Sequence, residues 1–136
     1  MKNTFKVLML AAAMALTGCT SATADLLIGS WRLDQATETV TTADSTVTHP
    51  REGYDNFRLE IMEEGVCAMI DRGDTVFYLW DLSGDDTLVL YRQGWAEDYT
   101  IDELTKHRLV YSDSYSVHDS VTGRRTDYTY TFDYSK

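Results

Sequence analysis

From Phe57 onward, apolar and polar side chains change places at every second residue in one short run after another. That is the period of a strand with one buried face. In "NFRLEIM" Phe57, Leu59 and Ile61 share one side, and Arg58 and Glu60 the other. "TVFYLWDL" and "TLVLY" are apolar on both sides, "DYTID" sets Tyr99 and Ile101 between polar residues, and "RLVYS" pairs Leu109 with Tyr111. The run "TDYTYTFDYS" is the strongest: Tyr128, Tyr130, Phe132 and Tyr134 alternate with Thr129, Thr131 and Asp133, and aromatic and β-branched residues favour strands. Helical periodicity is nearly absent; only "DLLIGSW" and "IDELT" have room for a helical turn.

Glycine-bearing turns separate these runs: "EEG" ending at Gly65, "DRGD" over 71–74, "SGDD" over 83–86 and "TGRR" over 122–125. Each glycine can take the positive φ that tight hairpins require. Pro50 marks a loop, and the threonine-rich stretch 38–48 has little apolar bulk, which fits an exposed strand or a loop. The pattern predicts strands over 30–39, 57–62, 66–70, 76–82, 87–91, 99–101, 109–117 and 126–134, with a ninth, weaker one at 46–48. Short strands linked by hairpins at this spacing make an all-β antiparallel meander. Closing it into a barrel of about eight strands removes both unpaired edges.

The first residues follow another pattern. Lys2 and Lys6 precede the apolar stretch "VLMLAAAMAL"; ten helical residues rise roughly 15 Å, about half a hydrocarbon core. The layout is that of a secretory signal. Its end, "LTGC", resembles a bacterial lipobox. That resemblance implies a signal peptide over 1–18, cleavage before Cys19 and acylation of Cys19, with fatty chains such as palmitate as the membrane anchor. Several chains hold where one binds only reversibly. Residues 19–26 then form the lipidated cysteine and a short polar tether, and 27–136 the barrel domain. Thr20, with no acidic residue beside it, leans the expectation toward an outer membrane, facing the periplasm, within a bacterial cell envelope.

Composition narrows the partners. The whole chain carries 12 basic and 22 acidic residues, a formal net charge of −10; without Lys2 and Lys6 the mature portion stands at −12. Such a chain repels phosphate backbones, so nucleic acid is not an expected partner. Anionic lipid would not attract it either, leaving the anchor as the route to a membrane. Cys67 is the second of 2 cysteines; within the apolar "GVCAMID" it reads as small buried filler.

The residues Gly29-Ser30-Trp31 in "LIGSWRL" resemble the Gly-x-Trp signature of lipocalins, and "LWDLSGDDTLVLY" with "YTIDELTKHRLVYS" is similar to small lipocalin-like lipoproteins of Bacteroidetes-type bacteria. The likeness runs from Leu27 to Tyr134. It implies a calycin-type barrel with Trp31 plugging its closed end. A late arginine covers that tryptophan in the family; here Arg124 or Arg125 would serve, or both would be solvent-exposed turn residues.

Chemistry is sparse. The sequence has no Gly-x-Ser-x-Gly elbow. His49, His107 and His118 lack ligand spacing, and the acidic pairs Glu63-Glu64, Asp85-Asp86, Glu97-Asp98 and Asp102-Glu103 fall where solvated turns do. Neither catalysis nor a metal or other cofactor is expected. Arg72-Gly73-Asp74, an integrin-type tripeptide, reads as a hairpin turn. What stands out is aromatic content. Trp31, Phe57, Tyr78, Trp80, Tyr128 and Tyr130 are the candidate ligand-contacting residues of the barrel interior, which is expected to be mostly filled, with a shallow mouth. Two roles fit: binding a small apolar or amphipathic ligand without catalysis, or acting as an inhibitor or accessory protein of an envelope complex.

Overall fold

The computed structural model describes residues 22–136; the stretch expected to be a signal peptide and Cys19 lie outside the described residues. A short helix, α1 (residues 22–27), leads into nine strands: β1 (Gly29–Thr41), β2 (Thr46–Pro50), β3 (Arg58–Ile61), β4 (Val66–Asp71), β5 (Asp74–Ser83), β6 (Thr87–Arg92), β7 (Trp95–Leu104), β8 (Arg108–His118) and β9 (Arg125–Ser135). A single 3-10 turn, Glu63–Gly65, joins β3 to β4.

Every pairing is antiparallel, from β3 through β9 in chain order, and β1 bonds to both β3 and β9. Eight strands therefore close into a barrel, with β2 as an extra strand. β2 lies on the same edge of β1 as β3: β3 takes residues 29–32 and β2 takes 37–41. The loop 51–57 bridges the two, tied down by Arg51 N donating to Ala36 O (2.8 Å) and Leu33 N donating to Phe57 O (2.9 Å).

Four of the strands continue past the rest. The β7–β8 register stops at Thr100↔Ser112, yet β8–β9 runs on to His118↔Arg125 and β1–β9 to Thr41↔Asp127. β2, β1, β9 and β8 thus form a flap projecting from the open end of the barrel. Its outer face is hydroxyl-rich, with Thr39 Oγ1 2.9 Å from Thr48 Oγ1 and Ser114 Oγ 2.9 Å from Thr129 Oγ1. That face accounts for the low apolar content of the threonine-rich stretch.

β7 is the element the sequence pattern undersizes: ten residues in place of 99–101. Its hairpin with β6 turns at Gln93 (φ +48°) and Gly94 (φ +85°), a two-residue loop of the type whose twist matches the strands it joins. "IDELT" is strand rather than helix. A bulge between Ile101 and Glu103 breaks its alternation, and the extra residue is what mimics a helical spacing.

The core fills the closed half of the barrel. Leu27, Trp31, Leu59, Ile61, Cys67, Leu88, Leu90, Leu109, Tyr111 and Tyr134 are fully buried there, and Tyr54, Phe57, Tyr78, Trp80, Tyr99 and Phe132 pack against them.

Candidate functional site

Trp31 sits at the floor of the barrel with no exposed surface. Its indole Nε1–H donates to Leu27 O at 2.7 Å, so α1 is fixed beneath it. The Lys136 ammonium lies 4.2 Å from the ring centroid and donates to Leu26 O (3.2 Å) and Ile28 O (3.0 Å). The cation over Trp31 is therefore a lysine at the end of β9. Arg124 is exposed in the β8–β9 turn, and Arg125 bonds Asp127 and Ser116 on the flap, at the opposite end of the molecule. Those two are the turn-side residues of the expected alternatives.

Above the floor the axis is occupied by rings. Tyr111 and Tyr134 share a hydroxyl contact of 2.7 Å while fully buried, and burial holds both phenols far above their ordinary pKa. Tyr111, Phe132 and Tyr99 pack at centroid distances of 5.5, 6.4 and 4.6 Å around this pair. Tyr99 donates to Glu97 Oε2 at 2.6 Å, and its phenol is raised by burial and then by that carboxylate. Cys67 lies in the same packing, its thiol pushed up to about 12 by burial. A thiol held protonated is a poor nucleophile.

The six interior candidates do not converge. Trp31 and Trp80 belong to the closed end; the Trp80 indole donates to Met62 O at 2.8 Å. Phe57 and Tyr78 cap the core from half-buried positions. Tyr128 and Tyr130 stand on the flap, past the last β7–β8 pair, on the face continuous with the barrel interior.

That flap face is the accessible part. Cross-strand register sets Tyr115, Tyr128, Val40 and Val47 in one row and Asp113, Tyr130, Glu38 and His49 in the next. Tyr115 stacks on Tyr128 (4.9 Å, 12° between planes) and on Tyr130 (5.9 Å, 24°). Its hydroxyl is 3.2 Å from that of Tyr130, the chief reason the Tyr115 phenol is raised. The Arg51 guanidinium lies 4.5 Å from the Tyr130 centroid and 5.3 Å from Tyr54, which in turn meets Phe132 edge-on at 6.0 Å. One continuous ladder of rings, with Arg51 as a rung, therefore joins the flap to the core. Tyr115, Val47 and Val117 remain exposed along it. Sequence reasoning missed Tyr115, Arg51 and Tyr54; for Tyr115 the signal was its place at the strand period after Tyr111.

Among the described residues no group of three histidine, cysteine or acidic side chains is placed to hold a metal ion. Arg72-Gly73-Asp74 occupies the β4–β5 hairpin, with Arg72 at φ +50° and its guanidinium donating to Gly53 O at 3.4 Å. Compared with models of protein families, with curated proteins and with solved structures, the chain gives no significant match.

Proposed function

We propose that the chain is a non-catalytic binding protein of the bacterial envelope whose small apolar or amphipathic ligand seats at the open end of the barrel, against the flap. The observation that carries this reading is the tyrosine ladder, half-buried at Tyr128 and Tyr130 and exposed at Tyr115. Stacked rings offer apolar contact area at low conformational cost, and Glu38, His49, Asp113 and Arg51 stand beside them to orient a polar head. Ligand sites are mostly apolar with a few such groups. The packed aromatic interior beneath supports a shallow seat over a deep one.

Anchoring fits the same arrangement. If Cys19 carries the lipid, two residues, Thr20 and Ser21, separate it from Ala22, a span of at most about 10 Å. α1 lies against Trp31 at the closed end, so that end would face the bilayer and the flap would face away from it. The lipocalin-like family remains part of this proposal, supported by Gly29-Ser30-Trp31 and by the cation stacked on that tryptophan.

Native mass spectrometry of the chain purified from its own host tests the ligand. The expected result is a retained small molecule that is lost from a Tyr115→Ala, Tyr128→Ala double variant. A wild-type protein with no bound small molecule, or equal retention by the variant, would overturn the reading.

A further inference from the structure

The outer wall of β4–β7 has an apolar face that none of the described residues covers. Register places Val66, Leu79, Tyr91 and Ala96 in one outward row, and Ala68 and Phe77 in the row beside it. Phe77 is 62% exposed, Leu79 59% and Tyr91 42%. Together they line an open groove of about 900 Å3. A contiguous apolar face of this size on an otherwise acidic surface marks an interaction site.

The rim identifies the partner. The row just beyond Leu79 and Tyr91 is Asp81, Val89 and Asp98, and Glu60 stands beside Ala68. Glu63 and Glu64 precede Val66 in the 3-10 turn. Among the described residues none of these five carboxylates is ion-paired, whereas Asp34, Asp71, Glu103, Asp127 and Asp133 each are. Among the described residues, Arg72 and Arg92 stand toward the open end, and Arg58, which donates to Ser30 Oγ, stands beside Glu60 at the β3 edge. A second copy docking with the two walls parallel would set acidic rim against acidic rim. Anionic lipid and nucleic acid would meet the same repulsion.

We propose that this wall docks an amphipathic, lysine- or arginine-rich segment of another protein, its apolar residues on Phe77, Leu79 and Tyr91 and its cations against Glu63, Asp81 and Asp98. The site is separate from the flap and does not depend on the ligand reading.

The test uses the full-length chain and a leucine–lysine amphipathic peptide, followed by calorimetry and tyrosine and tryptophan fluorescence, with a leucine–glutamate peptide as the charge-reversed probe. Phe77→Ser with Leu79→Ser, and separately Asp81→Asn with Asp98→Asn, are exposed substitutions whose folding is checked by near-UV circular dichroism. Each pair is expected to weaken the lysine peptide by about tenfold or more, while Asp44→Asn with Asp119→Asn, remote from the wall, leaves it unchanged. The proposal is overturned by no binding of the lysine peptide, by equal binding of the glutamate peptide, or by an equal loss in the remote pair. Sedimentation showing a dimer abolished by Phe77→Ser would also overturn it.

Discussion

At Gly29 two constraints coincide. Its φ is +145°, and an added Cβ would come within 2.9 Å of the Lys136 ammonium. Gly29→Ala is expected to cost about 1–3 kcal/mol, mostly from backbone strain, with the Lys136 tip moving off Trp31; urea denaturation read by tryptophan fluorescence measures it. The Tyr111–Tyr134 pair obeys a different rule. Deleting one hydroxyl leaves the other buried without its partner, at about 1–3 kcal/mol. Deleting both removes the mismatch, so Tyr111→Phe with Tyr134→Phe is expected to cost less than the two single changes added together, in a double-mutant cycle. Cys67 gives a pH signature. Its thiol has an ordinary pKa of 9.0 and is pushed up to about 12 in the fold by burial. Below pH 9 it is protonated in both states and contributes no pH dependence. Between 9 and 12 the native state holds a proton that the unfolded chain releases, so stability falls as pH rises through that window. Denaturation midpoints across it, compared with Cys67→Ala, isolate the contribution; thiol labelling of the wild type at pH 8 is expected only as fast as the barrel opens.

Among the elements, the β6–β7 hairpin is the most instructive. Gly94 supplies one positive φ freely, but Gln93 holds another at +48° with a full side chain. Gln93→Asn places there a residue that tolerates this conformation and is expected to stabilise the protein by a few tenths of a kcal/mol, seen as a rise in the urea midpoint at unchanged slope. The hairpin turns that contain a glycine after an acidic or basic residue were legible in the sequence because glycine's freedom is local. The same is true of β9, whose alternation extends through Tyr134. The lower part of β7 was hidden for a physical reason: a bulge shifts the period by one residue, and the alternation Trp95-Ala96-Glu97-Asp98 has a carboxylate on the inward face, held by the Tyr99 hydroxyl. No strand pattern anticipates that. The flap was hidden likewise. Tyr128 and Tyr130 keep the inward parity of β9, and parity alone cannot say where the neighbouring strand stops.

For the whole molecule, closure is the dominant event. β1 residues 32–41 pair with β9 residues 127–135, so the barrel seals through contacts almost a full chain length apart. Loop closure on that scale precedes the reward of pairing, and refolding in milliseconds to seconds is expected by stopped-flow fluorescence, as for other β topologies rich in distant pairs. At the same scale, the lipid-anchor proposal predicts that Cys19→Ser shifts the protein from the membrane to the soluble fraction of its host, read by fractionation and by intact mass. A net charge of −10 gives no electrostatic hold on anionic lipid, so on that proposal loss of the acyl chains is sufficient for release.

The sequence by itself determined the class of fold, because the two-residue period and the turn glycines are properties of neighbouring residues. It also marked Trp31 as special and Cys67 as core. The tertiary structure decided what depends on partners distant in sequence: that Lys136, rather than Arg124 or Arg125, covers Trp31; that eight strands close while β2 is left as an addition; and that Tyr115, Tyr128 and Tyr130 stack on the flap, beyond the packed interior. It also gathered Phe77, Leu79 and Tyr91 onto one outer wall. Alternation tells which side chains share a face, but only closure of the sheet fixes which face is inside, how far each strand outruns its neighbour and which apolar residues are left without cover.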